Sequence, residues 1–283
     1  MATWPNLQCL KLRHLQAFCS ALYTKCLKIL RRPSNTDVDS IPSKGLEYLS
    51  GGLTGLVYAV DDKRVVKKYF ESDGGEVERR AYRRLGSHPN IAKFLGAQKD
   101  GSIVLERGEV LRKICQSPSA TEIPIQTKLS WLKQAAEGYR YAHTCDIVHG
   151  DVGCNNMIIT REGCLKLIDF EGCSIDGEPA DSCYEWFSYR PPVPNVSRRT
   201  DIFAFGCAIY EVLTGRPPHH ELEASDNPDR NIQRLYANNC FPDVTSLPLG
   251  PLMQSCWHDD FTSMSEVLRE LEMFSHGHSV LVK

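Results

Sequence analysis

The sequence predicts an α+β fold in which a strand-rich front part precedes a mainly helical rear part. Up to Leu105, short runs rich in β-branched and aromatic residues alternate with turn residues, which is typical of strands. From Ile125 onward, apolar residues recur at helical spacing instead. Acidic and amide side chains that could bind a cation occur between Asp151 and Asp169, at the junction of the two parts.

The front part is expected to contain five strands and one helix. The first predicted strand ends at residue 49. The other four span residues 55–60, 64–70, 91–97 and 102–105. The helix is predicted over residues 76–85, because Gly86 and Pro89 then stop it. Short turns such as Asp61-Asp62 join neighbouring strands, so we expect a small antiparallel sheet.

The rear part is expected to begin with an amphipathic helix. Its apolar positions keep a 4-3-4-3 spacing, at Ile125, Leu129, Leu132, Ala136 and Tyr139. Short strands are predicted over residues 157–159 and 165–168, and further helices over residues 201–213 and 265–274. This pattern indicates helices packed around a core, with the strand pair placed close to the acidic residues.

The first 36 residues differ from the rest of the chain. They contain several Lys and Arg residues, and no acidic residue occurs before Asp37. Apolar residues such as Leu15, Leu22 and Ile29 fall at roughly helical spacing, which predicts a basic amphipathic helix. We expect a terminal helix of a cytoplasmic protein, or alternatively a segment that directs the chain to an organelle or contacts a membrane surface.

The charge and composition argue against a nucleic-acid partner, a membrane span and a disulfide framework. The net charge is −2, which argues against a nucleic-acid partner whose binding depends on many phosphate contacts. No run approaches the roughly 20 apolar residues that span a bilayer. The 12 cysteines form no short C-x-x-C pair, so we expect reduced thiols.

The residues with the clearest chemical meaning are Asp151, Asn156 and Asp169. Phosphoryl transfer needs one carboxylate to orient the attacking hydroxyl and further oxygen ligands to hold Mg²⁺ on the nucleotide phosphates. An Asp, an Asn shortly after it and a second Asp downstream supply that set. The sequence therefore predicts a phosphoryl-transfer site that works by positioning and charge neutralisation.

A glycine-rich segment could hold the phosphates. By itself, S-G-G-L-T-G at residues 50–55 favours a simple hairpin turn. The context favours a phosphate loop, because a basic pair, Lys67-Lys68, follows in a β-branched run and Glu78 lies on the next helix. Alternation along the strand allows only one of the two lysines to face inward. Matching residues 65–68 to the V-A-I-K pattern predicts that Lys68 faces inward beside Val66, and that Lys67 faces solvent.

These motifs, in this order, resemble those of the eukaryotic-type protein kinase superfamily over residues 44–273. The matching segments are the glycine turn, Lys68, Glu78, His88-Pro89-Asn90-Ile91, Leu105-Glu106, His149-Gly150-Asp151 with Asn156, Asp169-Phe170, and residues 200–206. The local sequence is similar to that of divergent kinase-like proteins of filamentous fungi at His149-Gly150-Asp151, Ser188-Tyr189-Arg190-Pro191 and Cys256-Trp257.

The resemblance implies a protein-kinase-like bilobal fold. Its N-lobe would span residues 44–108 and its C-lobe residues 109–273, with a basic extension over residues 1–43 and a tail over residues 274–283. It also implies ATP and Mg²⁺ as cofactors and a protein as the substrate. The nucleotide contacts would come from Gly52, Gly55, Val57, Val66, Lys68, Leu105, Glu106 and Gly108.

The resemblance also implies a role for each catalytic residue. Asp151 would be the catalytic carboxylate, and Lys68, held by Glu78, would orient the α- and β-phosphates. Asn156 and Asp169 would bind Mg²⁺. Leu105 would lie beside the adenine, residues 106–108 would form the hinge that bonds the base, and Asp201 would brace the catalytic loop.

The sequence departs from the family pattern at several positions. Gly150 replaces an arginine that would read a phosphate on the activation segment, so switching by that route is not expected. Gly153 replaces a lysine that would steady the γ-phosphate, and Glu171 replaces the glycine of D-F-G. Residues 189–193 lack the glutamate of A-P-E.

The expected function is ATP- and Mg²⁺-dependent phosphorylation of a protein hydroxyl, with Ser/Thr favoured. Gly153 and Glu171 motivate one alternative, a pseudokinase that binds nucleotide as a scaffold. Another alternative is a small-molecule kinase of the aminoglycoside or choline type, in which I-D-F-E would also fit. The predicted helix that follows Thr200-Asp201 argues against this second alternative, because that family lacks such a helix.

Overall fold

The computed structural model describes residues 41, 45–71, 74–181, 184–190 and 196–281. The basic amphipathic helix predicted within residues 1–36 lies outside the described residues. Among the helices that the structure does describe, none has both the length and the apolar character needed to cross a membrane.

A five-stranded antiparallel sheet forms the front lobe, as predicted. Its strands lie in the order β1-β2-β3-β5-β4. They are β1 (Glu47–Gly51), β2 (Gly55–Ala59), β3 (Arg64–Tyr69), β4 (Phe94–Ala97) and β5 (Ile103–Glu106). Each hairpin places consecutive strands side by side, and the one helix between β3 and β4 allows β5 to pair with β3.

The fourth strand is shorter than predicted. Residues preceding Phe94 pair with the rear lobe instead of the sheet: Ala92 N donates to Leu167 O at 3.0 Å, and Leu167 N donates to Asn90 O at 2.9 Å. Ile91 makes only an isolated parallel bridge with Leu167. The apolar run that predicted a longer strand therefore joins the two lobes.

Helix α1 (Glu76–Leu85) has the predicted bounds. Acidic residues occupy its first turn and Arg83 and Arg84 its last, which is the favourable arrangement for the helix dipole. Gly86 ends it with a φ of 62°, a conformation that glycine adopts without strain. Buried Tyr82 and Leu85 hold the helix against the core, which fixes the position of Glu78 on the same helix.

The rear lobe is mainly helical. Its helices are α2 (Leu111–Cys115), α3 (Ile125–Thr144), α4 (Arg198–Thr214), α5 (Pro228–Ala237), α6 (Gly250–Trp257) and α7 (Met264–Leu281). The core between them is fully buried and includes Tyr139, Phe205 and Trp257. Helix α4 begins earlier than predicted because Ser197 and Thr200 form a capping box in front of it.

Five short strands shape the floor of the site. They are β6 (Glu109–Val110), β7 (Ile147–Val148), β8 (Met157–Ile159), β9 (Leu165–Leu167) and β10 (Ser174–Ile175). The sheet β6-β8-β9 and the pair β10-β7 lie on either side of the loop that contains Asp151 and Asn156. This arrangement brings the loop close to Asp169, which follows β9.

Candidate active site

A buried ammonium group, that of Lys67, lies at the centre of the site. Its Nζ is 2.8 Å from Glu78 Oε2, 2.8 Å from Asp169 Oδ1 and 3.0 Å from Glu171 Oε2. Burial opposes the charge, but the three carboxylates hold the pKa of Lys67 well above its usual range. At neutral pH the lysine is therefore a cation that joins β3, α1 and the segment after β9.

The predicted orientation of Lys68 is wrong, because Lys67 is the lysine that faces Glu78. Neighbouring side chains of a strand point to opposite faces, so Lys68 and Val66 share the face that Lys67 does not. The Lys68 Nζ lies 5.7 Å from the centre of the Tyr58 ring. The same alternation removes Val66 from the predicted nucleotide-contacting face and puts Val65 there. The error is a shift of one residue in matching residues 65–68 to the V-A-I-K pattern.

Glu78 is completely buried and holds Lys67 from the α1 side. Its Oε2 also accepts a hydrogen bond from the Tyr69 hydroxyl at 2.8 Å. Burial raises the pKa of Glu78, and the contacts with Lys67 and Tyr69 oppose that rise. The predicted pairing of Glu78 with a strand lysine is therefore present, with Lys67 in place of Lys68.

The loop after β7 brings Asp151 and Asn156 together. Asn156 Nδ2 donates to Asp151 Oδ2 at 2.7 Å and to the Asp151 carbonyl oxygen at 2.8 Å. Burial raises the pKa of Asp151 to about 6, while His149 and the Asn156 hydrogen bond oppose the rise. These contacts fix the direction of the carboxylate.

His149 shapes this loop without facing the reacting groups. Its Nδ1 accepts from the Asp151 backbone N–H at 3.3 Å, and its Nε2 lies 3.0 Å from the Ile168 carbonyl oxygen. The ring packs 4.8 Å from that of Phe170. His149 is therefore a packing and hydrogen-bonding residue of the loop.

Asp201, at the start of α4, holds the backbone of the same loop from below. Its carboxylate accepts from His149 N at 2.9 Å and from Gly150 N at 3.0 Å. It also contacts His143 Nε2 at 2.8 Å and accepts from the Tyr184 hydroxyl at 2.7 Å. The structure thus has the brace that the resemblance implies.

The glycine turn between β1 and β2 closes over the Lys67 side of the sheet. Val57 is the cross-strand partner of Lys67, so the two side chains lie on one face. A side chain at Gly55 would put its Cβ 2.3 Å from the Lys68 carbonyl oxygen, which requires glycine there. Thr54 Oγ1 donates to Glu171 Oε2, so the turn contacts a carboxylate that also contacts Lys67.

A family model described as the protein kinase domain matches residues 54–269. The chain belongs to the protein kinase family. The matched range contains the glycine turn from Thr54, the Lys67–Glu78 pair, the catalytic loop and helix α4. The family match and the two-lobed architecture therefore agree.

Several curated relatives are named as kinases, and this chain matches each of them over part of its length. The chain is 30% identical to a probable serine/threonine-protein kinase of Dictyostelium discoideum, over 64% of its own length and 38% of that protein. It is 31% identical to mitogen-activated protein kinase kinase kinase 6 of Homo sapiens, over 62% of its length and 16% of that protein. Mitogen-activated protein kinase kinase kinase 1b of Physcomitrium patens is 26% identical, over 62% of this chain and 26% of that protein. The matches thus cover well under half of each of these relatives.

The segment predicted as the hinge, residues 106–108, begins at the last residue of β5. Leu105 is buried and pairs with Val65, on the face that carries Lys67. Glu106 N donates to Lys93 O at 3.0 Å, and the Glu106 carboxylate lies 3.2 Å from Lys166 Nζ. A Cβ at Gly108 would come within 2.8 Å of the Ile159 carbonyl oxygen, so only glycine fits at this position.

An ion-pair cluster that the sequence did not reveal holds Glu185, a residue of the kinase activation segment, which begins at Asp169. Arg112 of α2 makes bidentate contacts to Glu185, at 2.5 and 2.7 Å, and to Glu211 of α4, at 2.5 and 2.8 Å. Burial opposes the charge, but these hydrogen bonds raise the pKa of Arg112. The three residues are far apart in sequence and follow no local pattern, so only the tertiary fold brings them together.

The same cluster explains what lies near Gly153. A Cβ at Gly153 would be 3.0 Å from Glu185 Oε2, and Asn155 Nδ2 donates to Glu185 Oε1 at 3.0 Å. A carboxylate of the activation segment therefore lies beside the position where the family pattern has a lysine.

We predict that Asp201→Asn lowers the free energy of unfolding by about 2–3 kcal/mol, because an amide cannot accept all the hydrogen bonds that converge on this buried carboxylate. Urea unfolding measures the change. Asp259→Asn is the matched control, since Asp259 pairs with Arg199 at the surface and such pairs contribute little. Equal stability of the two variants would contradict the bracing role.

The pH dependence of this difference follows from the Asp201 pKa. Burial opposes ionisation, but the hydrogen bond from His143 and its charge hold the pKa of Asp201 below the usual range. The ionised carboxylate therefore stabilises the fold above the unfolded-state pKa of about 4, and this stability is lost as pH falls through the lower native pKa. The gap between the wild type and Asp201→Asn should stay constant above about pH 5 and narrow only below about pH 4.

Proposed function

We propose that this kinase domain transfers the γ-phosphate of ATP to a protein hydroxyl, with Mg²⁺ as the required cation and Ser/Thr as the favoured acceptors. The observation that carries the proposal is the position of the Lys67 ammonium. It contacts Glu78 and Asp169 together, and Asp169 lies next to the loop that presents Asp151 and Asn156. One cation and the three oxygen-bearing residues of the sequence prediction thus converge on one side of the cleft.

The nucleotide would lie between the glycine turn and the hinge. Val57 and Val65 on the Lys67 face of the sheet offer apolar contact to a flat base, and Leu105 borders them at the end of β5. At Gly55 the backbone approaches Lys68 too closely for a side chain, and the glycine turn would cover the phosphates. Lys67, kept in place by Glu78, would then orient the α- and β-phosphates.

Asn156 and Asp169 fit Mg²⁺. Because both Asn156 Nδ2 contacts go to Asp151, the amide oxygen of Asn156 is the atom that it presents to a cation. Amide and carboxylate oxygens are the ligands that this hard cation prefers. When bound, Mg²⁺ would neutralise the phosphate charge that develops during transfer.

Asp151 would orient the acceptor hydroxyl and take its proton. Asn156 fixes the direction of the carboxylate, and the hydrogen bonds of Asp201 to His149 N and Gly150 N fix the loop. An oriented carboxylate of this kind typically contributes about 10²–10⁴-fold to the rate.

The relatives support a Ser/Thr acceptor at the level of their names. The Dictyostelium discoideum protein is called a probable serine/threonine-protein kinase, and others are called mitogen-activated protein kinase kinase kinases. Because the chain covers only part of each relative, these names support the class of acceptor alone.

One observation favours a second candidate, a pseudokinase that binds nucleotide with little transfer. Glu185 lies 3.0 Å from the place where a Gly153 Cβ would be, so this region offers a negative charge where the family pattern supplies a positive one. Loss of that positive charge would weaken stabilisation of the γ-phosphate. Thermal stabilisation by Mg²⁺-ATP without turnover would establish this candidate.

We predict that the purified protein transfers labelled phosphate from Mg²⁺-ATP to general protein acceptors, and that Asp151→Asn lowers the rate at least about 100-fold. Asp62→Asn, which changes an exposed carboxylate, should leave the rate unchanged. Unaltered thermal stabilisation of Asp151→Asn by Mg²⁺-ATP would show that the variant is folded. Equal rates in Asp151→Asn and the wild type would exclude the proposed role of Asp151, and phosphorylation of a small alcohol alone would indicate a small-molecule kinase.

We predict that Asp169→Asn removes the gain in nucleotide affinity that Mg²⁺ provides, because one of its two ligand residues loses its charge. Calorimetric titration with ADP, with and without Mg²⁺, measures this gain independently of transfer. Asp62→Asn is again the matched control. A gain of the same size in Asp169→Asn would contradict the assignment of Asp169 as a metal ligand.

A further inference from the structure

Helix α1 contacts the activation segment through two arginines. The Arg84 guanidinium binds both oxygens of Asp176 at 2.6 Å each, and Arg80 Nη2 lies 2.7 Å from Glu178 Oε1. Both carboxylates belong to the segment that begins at Asp169. The contacts therefore join α1 to the segment that carries one of the proposed Mg²⁺ ligands.

Residues 174–178, named here the acidic turn, present these carboxylates in a fixed geometry. Asp176 adopts a φ of 55° and Gly177 a φ of 79°, which reverse the chain. Glu178 N donates to Ile175 O at 2.9 Å, and Ser174 Oγ donates to Glu178 O at 2.6 Å. The carboxylates are therefore held by turn hydrogen bonds before they meet the arginines.

The acidic turn is also tied to the catalytic loop. Ser174 pairs with Val148 and Ile175 with Ile147, so the turn extends directly from the β10-β7 pair. Strand β7 leads into His149, and Asp176 N donates to Asp146 O at 2.9 Å. A displacement of the turn would therefore also displace the catalytic loop and helix α1.

Within this kinase domain we propose that Arg80 and Arg84 are positioning residues, which hold α1 on the acidic turn and so keep Glu78 at Lys67 without a phosphate on the activation segment. The proposal rests on the proposed function for its catalytic consequence. It also accounts for Gly150: a phosphate-reading arginine beside Asp151 is dispensable where carboxylates of the segment already bind the arginines of α1.

The strength of the contacts sets the expected size of the effect. Isolated exposed ion pairs contribute little, since water screens them and their side chains lose freedom. Here one pair is bidentate, two pairs act on one helix, and the turn is already ordered, so the entropy loss is smaller. We therefore expect a measurable but moderate effect of each pair.

The primary test is amide hydrogen exchange of residues 76–85 in the full chain without nucleotide, which needs no transfer activity. Arg84→Gln and Asp176→Asn should each raise the exchange rate roughly threefold to fivefold, and the double variant no further, because either change removes the same contact. Asp176→Asn keeps a residue that tolerates positive φ. Multiplied effects in the double variant would overturn the coupling, as would unchanged exchange in the single variants.

A charge exchange tests the second pair in the same way. Arg80→Glu and Glu178→Arg should each raise exchange of α1, and the double variant should return it to the wild-type rate. The control is the Arg161–Asp62 pair, which is also exposed but lies away from α1, so Arg161→Glu should leave the exchange of α1 unchanged. Failure of the double variant to rescue exchange would show that the charges do not act through each other.

Steady-state kinetics then test the catalytic consequence separately. The positioning variants should lower kcat roughly threefold to fivefold and leave the KM for the protein acceptor unchanged. Phosphatase-treated wild type should keep its full rate. A wild type that transfers only after phosphorylation of the segment would overturn the proposal. A wild type with no transfer at all would refute the proposed function, while the exchange data would still decide whether the arginines hold α1.

Discussion

The Lys67 ammonium is the contact on which the other features of the site depend. A buried cation is costly unless carboxylates surround it, and here two elements supply three of them: α1 supplies Glu78, and the segment after β9 supplies Asp169 and Glu171. Removing one partner from a buried ion pair typically costs about 3–5 kcal/mol. The sheet, helix α1 and the activation segment must therefore be in their native positions together, which makes this charge one of the links between the lobes.

A second buried charge organises the rear of the site in the same manner. Asp201 collects hydrogen bonds from two backbone amides of the catalytic loop and from His143 and Tyr184. Helix α4 supplies the rigid support, because its core-facing side is completely buried. In the front lobe the cation Lys67 is held by carboxylates. In the rear lobe the carboxylate of Asp201 is held by hydrogen-bond donors. The catalytic carboxylate of the proposal, Asp151, is fixed by Asn156, and Asp201 holds the loop that carries it.

Sequence patterns predicted the elements well where local signals were strong. Helix α1 has the predicted bounds because glycine and proline stop it, and the five strands follow from β-branched runs between turns. The choice between Lys67 and Lys68 failed because the motif was matched one residue out of place, and a shift of one residue exchanges the two faces of a strand. The contacts of the Arg112 cluster and of the acidic turn join residues that are distant in sequence. Such ion pairs produce no periodic pattern in the sequence, so they could not be predicted from it. Glu171 was noted as a departure, yet its contact with Lys67 and Thr54 follows only from the fold.

The most direct test of the central role of Lys67 is labelling with an acyl-phosphate derivative of ATP, followed by peptide mass spectrometry. A lysine amine near the phosphates attacks the acyl carbonyl, forms an amide and releases the nucleotide. The account predicts that Lys67 is acylated, that excess ATP suppresses the reaction, and that the adjacent Lys68 is unmodified and serves as an internal control. ATP-sensitive acylation of Lys68 with no modification of Lys67 would contradict the account.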